Sequence, residues 1–537
     1  MINKQIYQNH TKPIQGFLPL FSSLFPKRNL LDDPLLNTVT DFVNSLDLDQ
    51  FESFYSWPAK RFPLTAMLSA ALISFTLHGY LSCRKQAEFY ENDVRILSLF
   101  NGFTPSHQTI FKFQQCLKPC AEDLFKMLNL WIEERDLQLE SEVLYLDGSK
   151  WEANANKMTF VWTKSAKKWG ASAWKHLIEL VEKLNGWLKN HNEDIRISIL
   201  KKPDPDYLLY IDSCFGELEK KYNVELVYGR GKRKHELQRM HDKFVDCAKK
   251  IIYYAVCKDL ADGRNSFSKT DIDATFMHMK YDYYNHTNVF KPGYNIQFGV
   301  SCGYIRVVYI SQNCNDVKDF IPTVEKYHEL YGEYPEVVPA DAGYGSFDNY
   351  TYCREKGIEL LMKYPGQNKE SEKVTDKNRF KSWAFGRDES GNPICPAGHT
   401  MDLVNERIDH KGVYPKVTSY YRTEKCQNCP LRSQCTKSAR GRTIQICHEF
   451  EDMKKEVREN MSTDHGHELM VNRSIQAEGT FGDIKNNFGY DRLKRRGLSN
   501  AKLELYLVAC GHNLRKFINR SRMDEAEKTR YGTQYIN

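Results

Sequence analysis

The chain is short of almost everything that marks a membrane or secreted protein. Its 537 residues contain one uncharged apolar run, residues 64–82 (LTAMLSAALISFTLHGYLS), and no second of that length. A bilayer span needs about 20 apolar residues, but Ser69, Ser74, Thr76, His78 and Gly79 are costly in hydrocarbon. The run therefore predicts a buried core helix rather than a membrane span. The opening MINKQIYQNHTK has no hydrophobic signal core, and most of the fifteen cysteines stand singly. That argues against a disulfide scaffold and predicts a reducing, cytoplasmic compartment. Charge of one sign is scarce as well: 76 Lys and Arg against 69 Asp and Glu leave a net +7. Affinity for nucleic acid must then rest on local basic patches rather than on a global field.

What the chain does have is apolar and aromatic material, 41% and 13% of residues, enough to build cores. It also has more length than one core of roughly 250–300 residues fills, so a multi-domain globular protein is expected. After the apolar helix, CRKQAEFYENDVRILSLFNGFTPSHQTIFKFQQCLKP reads as a short helix, a turn and a helix opening at Ser106 behind Pro105. Such a pair fits either a helix-turn-helix DNA reader, with His107, Gln108, Lys112 and Gln114 as contacts, or an ordinary helical hairpin. Residues 163–262 read as long charged helices without a catalytic constellation. From 293, YNIQFGVSCG and IRVVYISQN read as strands paired around Cys302-Gly303-Tyr304. A helix, the strand EVVPADAGYGS, a second helix and the strand IELLMKYP follow, the alternation of a layered α/β core.

Two acids stand out on that scaffold. Asp147 in EVLYLDGSK and Asp341 in VVPADAGYG each close an apolar run, with Gly within two positions. Sites in α/β sheets form beyond the carboxyl ends of strands, so the two can converge despite their separation in sequence. Mg²⁺ prefers hard oxygen ligands and takes a few carboxylates, leaving the rest of its octahedron to water and phosphate. Glu478, in NRSIQAEGTFGDIKNNFGYDRLKRRG, is the natural third acid, on a segment that reads as a helix with Ile475, Phe481 and Ile484 facing a core. Lys485 lies two turns on along the same face, while Asp483, the rival acid, falls off that stripe. Around Glu478 run Arg473, Lys485, Arg492, Lys494, Arg495 and Arg496, and positive charge beside a carboxylate-metal centre is what a phosphodiester substrate needs. Any one of these residues alone is more simply a cap, a turn or a solvated face.

Together, YLDGSKWEANANKMTFVW, SKTDIDATFMHMK, KPGYNIQFGV, ADAGYGSFDNY and RSIQAEGTFGDIKNNFGYDRLKRRG, preceded by HGYLSCRKQAE and TPSHQTIFKF, resemble the DDE transposases of bacterial insertion sequences. The likeness is to the branch with a helical N-terminal domain and runs from about residue 60 to residue 520. It implies an α/β fold with a ribonuclease H-like core, a mixed sheet flanked by helices. The implied division is an arm over 1–60, a helix-turn-helix-like DNA-binding domain over 61–138, core segments 139–162, 268–365 and 451–520, a helical insertion over 163–267, a Cys-rich insertion over 366–450 and a tail over 521–537.

The resemblance makes Asp147, Asp341 and Glu478 a catalytic triad holding two Mg²⁺ (or Mn²⁺) ions about 3.5–4 Å apart for phosphoryl transfer. No covalent protein–DNA intermediate is needed, so Tyr145 and Tyr344 are left to packing or DNA contact, and Asp271, Asp273 and His278 to structure or substrate positioning. Relatives often carry a Tyr, two residues, an Arg, three residues, the Glu, six residues and a Lys. Here Glu478 and Lys485 fit, the Arg is one place early at Arg473, and Val471 takes the Tyr position. Lys485 is expected on DNA phosphate near the cut, with Arg473, Arg492, Lys494, Arg495, Arg496, His107 and Lys112 as further DNA contacts. The implied activity is binding of terminal inverted repeats, cleavage and strand transfer into target DNA at the nucleoid, by a homo-oligomer that is at least a dimer in synapsis. The alternatives are a metal-dependent nuclease that cuts without joining and a non-catalytic DNA-binding derivative.

Cys395 begins CPAGHTM, and CQNCPLRSQC supplies Cys426, Cys429 and Cys435. The C-x-x-C knuckle lets two thiolates hold one ion, and four suit structural Zn²⁺ or an iron–sulfur cluster. The spacing to Cys395 is irregular, so a metal-free cluster is the third reading, and His399 and Cys447 are substitute ligands. A metal here folds a small DNA-facing ribbon.

Overall fold

The computed structural model describes residues 30–54, 57, 62–136, 139, 142–229, 231–282, 287–370 and 372–522. Residues 1–29, 55, 56 and 58–60 of the expected arm and 523–537 of the expected tail lie outside them. The chain divides into two compact units, one of Met1–Trp151 with Asn295–Asn537 and one of Glu152–Tyr294.

The first unit begins with helices α1 (Pro34–Ser45), α2 (Leu64–His78), α3 (Cys83–Asn92), α4 (Val94–Leu99), α5 (His107–Leu117) and α6 (Ala121–Glu133), then strand β1 (Tyr145–Glu152). α2 is the uncharged run, buried at every position from Leu64 to Thr76. Among the described residues no single helix is long and apolar enough to cross a membrane. α5 starts where Ser106 predicts, its hydroxyl accepting from Thr109 N at 3.4 Å as an N-cap.

The second unit holds β2 (Phe160–Trp162), α7 (Thr163–Asn190), α8 (Pro205–Lys221), α9 (Glu236–Ala261), β3 (Ser266–Ser268), β4 (Thr275–Asp282) and the first half of β5 (Thr287–Ser301). Its three helices close around their own core, with Trp174, Leu177, Leu184, Ile211, Phe215 and Phe244 inside. β2 pairs antiparallel with β3, and β4 with β5. Asp271 belongs to this unit and is buried, accepting from the Tyr294 hydroxyl at 3.0 Å.

The first unit resumes with the rest of β5, then β6 (Tyr304–Ser311), α10 (Phe320–Tyr331), α11 (Phe347–Lys356), β7 (Asp402–Asp409), β8 (Lys416–Arg422), β9 (Thr443–Ile446), α12 (His448–Ser462), α13 (Asp464–Arg473) and α14 (Leu498–Ser521). β5 and β6 form the expected hairpin, turning on Cys302 and Gly303, both left-handed at φ 52° and 79°, the geometry a two-residue hairpin favours. β1 lies beside β5, and Ser301 Oγ donates to Val143 O at 2.5 Å. On its other side Leu144 N and Leu146 N donate to Val337 O and Pro339 O, each at 3.1 Å. Parallel bridges then join Val337 to Glu359 and Ala340 to Met362.

The order is therefore β6, β5, β1, the segment 337–340 and the segment 359–362, antiparallel at one edge and parallel at the other. The last two segments, expected as strands, are isolated bridges; Pro339 has no N–H to give the ladder. Leu144, Leu146, Val338 and Leu360 are fully buried, as strands covered on both faces require. α14 is sunk in the unit: Gly511 approaches α2 so closely that a Cβ there would stand 2.6 Å from the Phe75 carbonyl. β7, β8 and β9 make a separate antiparallel sheet beside the cysteines. The architecture is mixed α/β, helices with several small antiparallel sheets.

Candidate active site

Asp147 does not close its strand: β1 runs on to Glu152. What stops at Leu146 is the parallel side of the ladder, whose bond to Pro339 O is the last before the acid. Side chains alternate along a strand, so Asp147, Ser149 and Trp151 share a face. Gly148 leaves room here for two side-chain ends, since a Cβ would stand 2.6 Å from the Gln297 carboxamide and 2.8 Å from Asp316 Oδ1 and one or the other would have to shift. Burial raises the Asp147 carboxyl to about 7 against the pull of Arg473 and the Gly148 N–H, and the charges of Asp341 and Glu478 add to the rise. The three acids thus share one electrostatic neighbourhood. Asp341 follows the Ala340 bridge and turns back on its own loop, accepting from Gly343 N at 2.7 Å.

The helix carrying Glu478 is interrupted by two π-helical turns, Ser474–Glu478 and Asp483–Asn487. A π turn closes its hydrogen bonds from i to i+5 and so aligns residues five apart. That absorbs the early arginine: Arg473 Nη2 donates to Glu478 Oε1 at 2.8 Å, while Nη1 lies 3.9 Å from Asp147 Oδ1. The same extra residue turns Ile475 outward to 42% exposure, against the expectation that it faces the core, while Phe481 and Ile484 are buried as expected.

Trp151 clamps this helix to β1. Its Nε1 donates to Tyr490 O at 2.8 Å, and its ring packs on Phe298 and Phe481. Lys485 lies over the Trp151 ring, donating to Ser149 Oγ at 2.5 Å and Lys150 O at 3.1 Å, along the same strand as Asp147. Asp483 is occupied elsewhere, accepting from Arg515 Nη2 at 2.6 Å with His512 Nδ1 at 3.2 Å. Burial would raise its carboxyl, but His512, Asn487 and Arg515 together hold it well below the usual range.

A polar layer beneath the acids escaped the sequence reading. Asn295 Nδ2 donates to Asp316 Oδ1 at 2.7 Å and Asp319 Oδ2 at 3.1 Å, and Gln297 Nε2 donates to Asp316 Oδ1 at 3.1 Å. The Tyr344 hydroxyl donates to Gln297 Oε1, so Tyr344 is a packed, buried group, as is Tyr145. The available signal was the pair of amides at alternate positions of the apolar strand YNIQFGV.

The basic stretch is organised by a residue that was also missed. Glu504 on α14 is 1% exposed and accepts from Lys494 N at 2.7 Å, Arg495 N at 2.9 Å and the Tyr490 hydroxyl at 2.7 Å. Lys494 and Arg496 are thereby carried on an exposed loop with the half-buried Arg492. Arg495 turns inward to Gln114 Oε1. Gln114 is itself buried, donating to Gln86 Oε1 at 3.0 Å, so it is not the surface contact that the helix-turn-helix reading would make it; His107 and Lys112 are exposed on α5.

Cys395, Cys426, Cys429 and Cys435 line one small cavity with Phe380, Leu431 and Arg442; His399 and Cys447 do not line it. Burial pushes the Cys435 thiol up, Arg442 pulls it back, and Cys426, Cys395 and Cys429 raise it again. Neither here nor at the acids are three His, Cys, Asp or Glu side chains of the described residues drawn together, as they stand, into a group that could hold a metal ion.

Residues 394–518 match the family model described as a transposase DDE domain. The span includes Glu478, Lys485, Glu504 and the four cysteines, but neither Asp147 nor Asp341. No curated protein and no solved structure matches the chain. Over residues 394–518 the chain is similar to a transposase DDE domain, and this supports a DDE transposase.

Proposed function

We propose that the protein is the transposase of an insertion sequence: it binds the terminal inverted repeats of its element, cuts the DNA there and transfers the strands to target DNA. The observation that carries this reading is the shared field of Asp147, Asp341 and Glu478 around one buried carboxyl, in a chain with a transposase DDE domain. The strand order supports a ribonuclease H-like core, with Asp147 and Asp341 on neighbouring segments of its sheet.

Mg²⁺ or Mn²⁺ fits this donor set, since carboxylate oxygens are hard ligands and a buried acid raised to about 7 beside two like charges is short of positive charge. Asp147, Asp341 and Glu478 would hold the ions, which when bound supply Lewis acidity toward the scissile phosphate and a nucleophile at neutral pH. Lys485, tied to Ser149 and Lys150, meets a phosphate next to the cut. Lys494, Arg496 and Arg492 on the loop built over Glu504, with His107 and Lys112 on α5, contact backbone phosphates, which fix register rather than read sequence. The four cysteines suit Zn²⁺ by ligand softness, and the ion would brace the β7–β9 segment. Two element ends must be handled together, so the acting form is at least a dimer, working on chromosomal DNA in the cytoplasm.

The test is linear DNA bearing an element end, incubated with the protein and Mg²⁺. Wild type yields cleaved and joined products, and Asp147→Asn and Glu478→Gln lose cleavage by at least about a hundredfold, the upper range for losing even an outer partner of a metal site. Full cleavage by either variant would remove the triad assignment, and cleavage without joining would leave a nuclease.

A further inference from the structure

Arg473 is placed for a task that metal binding by the acids does not explain. We propose that its guanidinium is a built-in counter-ion that holds Asp147 and Glu478 in position in the metal-free protein and gives them up when a divalent cation enters. The inference rests on the reading of Asp147, Asp341 and Glu478 as metal ligands.

Three observations converge on it. The Arg473 side chain is only 11% exposed, yet it spans two acids, at 2.8 Å from Glu478 and 3.9 Å from Asp147. Its Nε is buried without a partner. A guanidinium kept for geometry would use its fork on one carboxylate; this one is spread between two, which suits a group held there for its charge. Secondly, among the described residues the acids are not gathered into a metal-holding group, and the guanidinium bridges two of them.

Thirdly, the π turn at Ser474–Glu478 is what makes the bridge. In an uninterrupted α-helix, residues five apart point about 140° away from each other around the axis. The rarer turn, with its i to i+5 bonds, brings Arg473 over Glu478. Because a guanidinium and a divalent ion repel, the two compete for the same carboxylates, and Arg473 acts as a positioning residue that sets the metal's threshold for entry.

The test uses the full chain without DNA. Mn²⁺ binding is followed by loss of the free-ion electron paramagnetic resonance signal, and thermal unfolding is recorded in EDTA and in Mn²⁺, for wild type, Arg473→Met and Arg473→Lys. Arg473→Met is expected to melt lower in EDTA yet bind Mn²⁺ about five- to tenfold tighter, the size of a modest ion pair removed from competition. Arg473→Lys, whose ammonium cannot span both acids, is expected between the two. A purely structural role would lower the melting temperature without tightening the metal. Should Arg473→Met fail to fold, Arg473→Lys decides: tighter than wild type supports the proposal, equal or weaker overturns it. Wild type that binds Mn²⁺ with no gain in either variant overturns the role of Arg473 alone. Wild type that binds none overturns the metal triad, and the proposal with it.

Discussion

A carboxyl raised from 3.8 to about 7 makes Asp147 a pH-dependent liability in the metal-free protein. Between those values the folded chain keeps a proton that the unfolded chain has released. The stability this group contributes is therefore complete below about pH 4 and lost as pH rises through about 7. In EDTA the melting temperature of wild type should fall more steeply between pH 5 and pH 8 than that of Asp147→Asn; parallel curves would mean that Asp147 is an ordinary carboxylate. The sequence made this residue visible as a charge against an apolar run, but the glycine after it was legible only as a turn. Its reason, the approach of Gln297 and Asp316 to the backbone, depends on side chains roughly 150 residues away. Contacts of that kind leave no local pattern to read.

Among elements, those fixed by local chemistry were readable and those fixed by packing were not. The cap of α5 and the β5–β6 hairpin follow from a serine before a helix and from two residues able to take positive φ. The π turns at Ser474–Glu478 and Asp483–Asn487 have no such local signal, so the helical spacing misplaced Ile475 and left Arg473 looking one position out of register. The loop after this helix depends likewise on a partner in another element. Glu504→Ala strips the acceptor from two backbone N–H groups and a tyrosine hydroxyl, each worth about 1–3 kcal/mol when left buried and unsatisfied. The variant should lose about 3 kcal/mol or more of stability and bind element-end DNA more weakly, although Lys494 and Arg496 are unchanged. Wild-type affinity by fluorescence anisotropy, measured below the variant's melting temperature, would show that Glu504 does not shape the DNA-binding loop.

Across the whole molecule, the two proposed metal types should be separable. Elemental analysis of protein purified without chelator is expected to give one zinc per chain, and Cys426→Ser with Cys429→Ser should abolish it while leaving Mn²⁺ affinity at the acids intact. Iron in place of zinc would turn the cavity into a cluster site, and neither metal would leave four reduced thiols packed for their own sake. The two kinds of donor, soft sulfur and hard oxygen, make this selectivity a matter of ligand chemistry.

The insertion of Glu152–Tyr294 between β1 and the second half of β5 bears on how the chain is made. Left as flexible polymer, so long a detour would charge the sheet an entropy of closure before any of its bonds formed. Instead the inserted unit has its own core and ties its ends together, Ala153 N donating to Pro292 O at 2.9 Å. It leaves the ribosome before β6 exists and can fold first, so that β1 finds its neighbour across a gap already drawn shut. An insertion with a core of its own and closed ends thus adds little closure entropy to the pairing of β1 with β5.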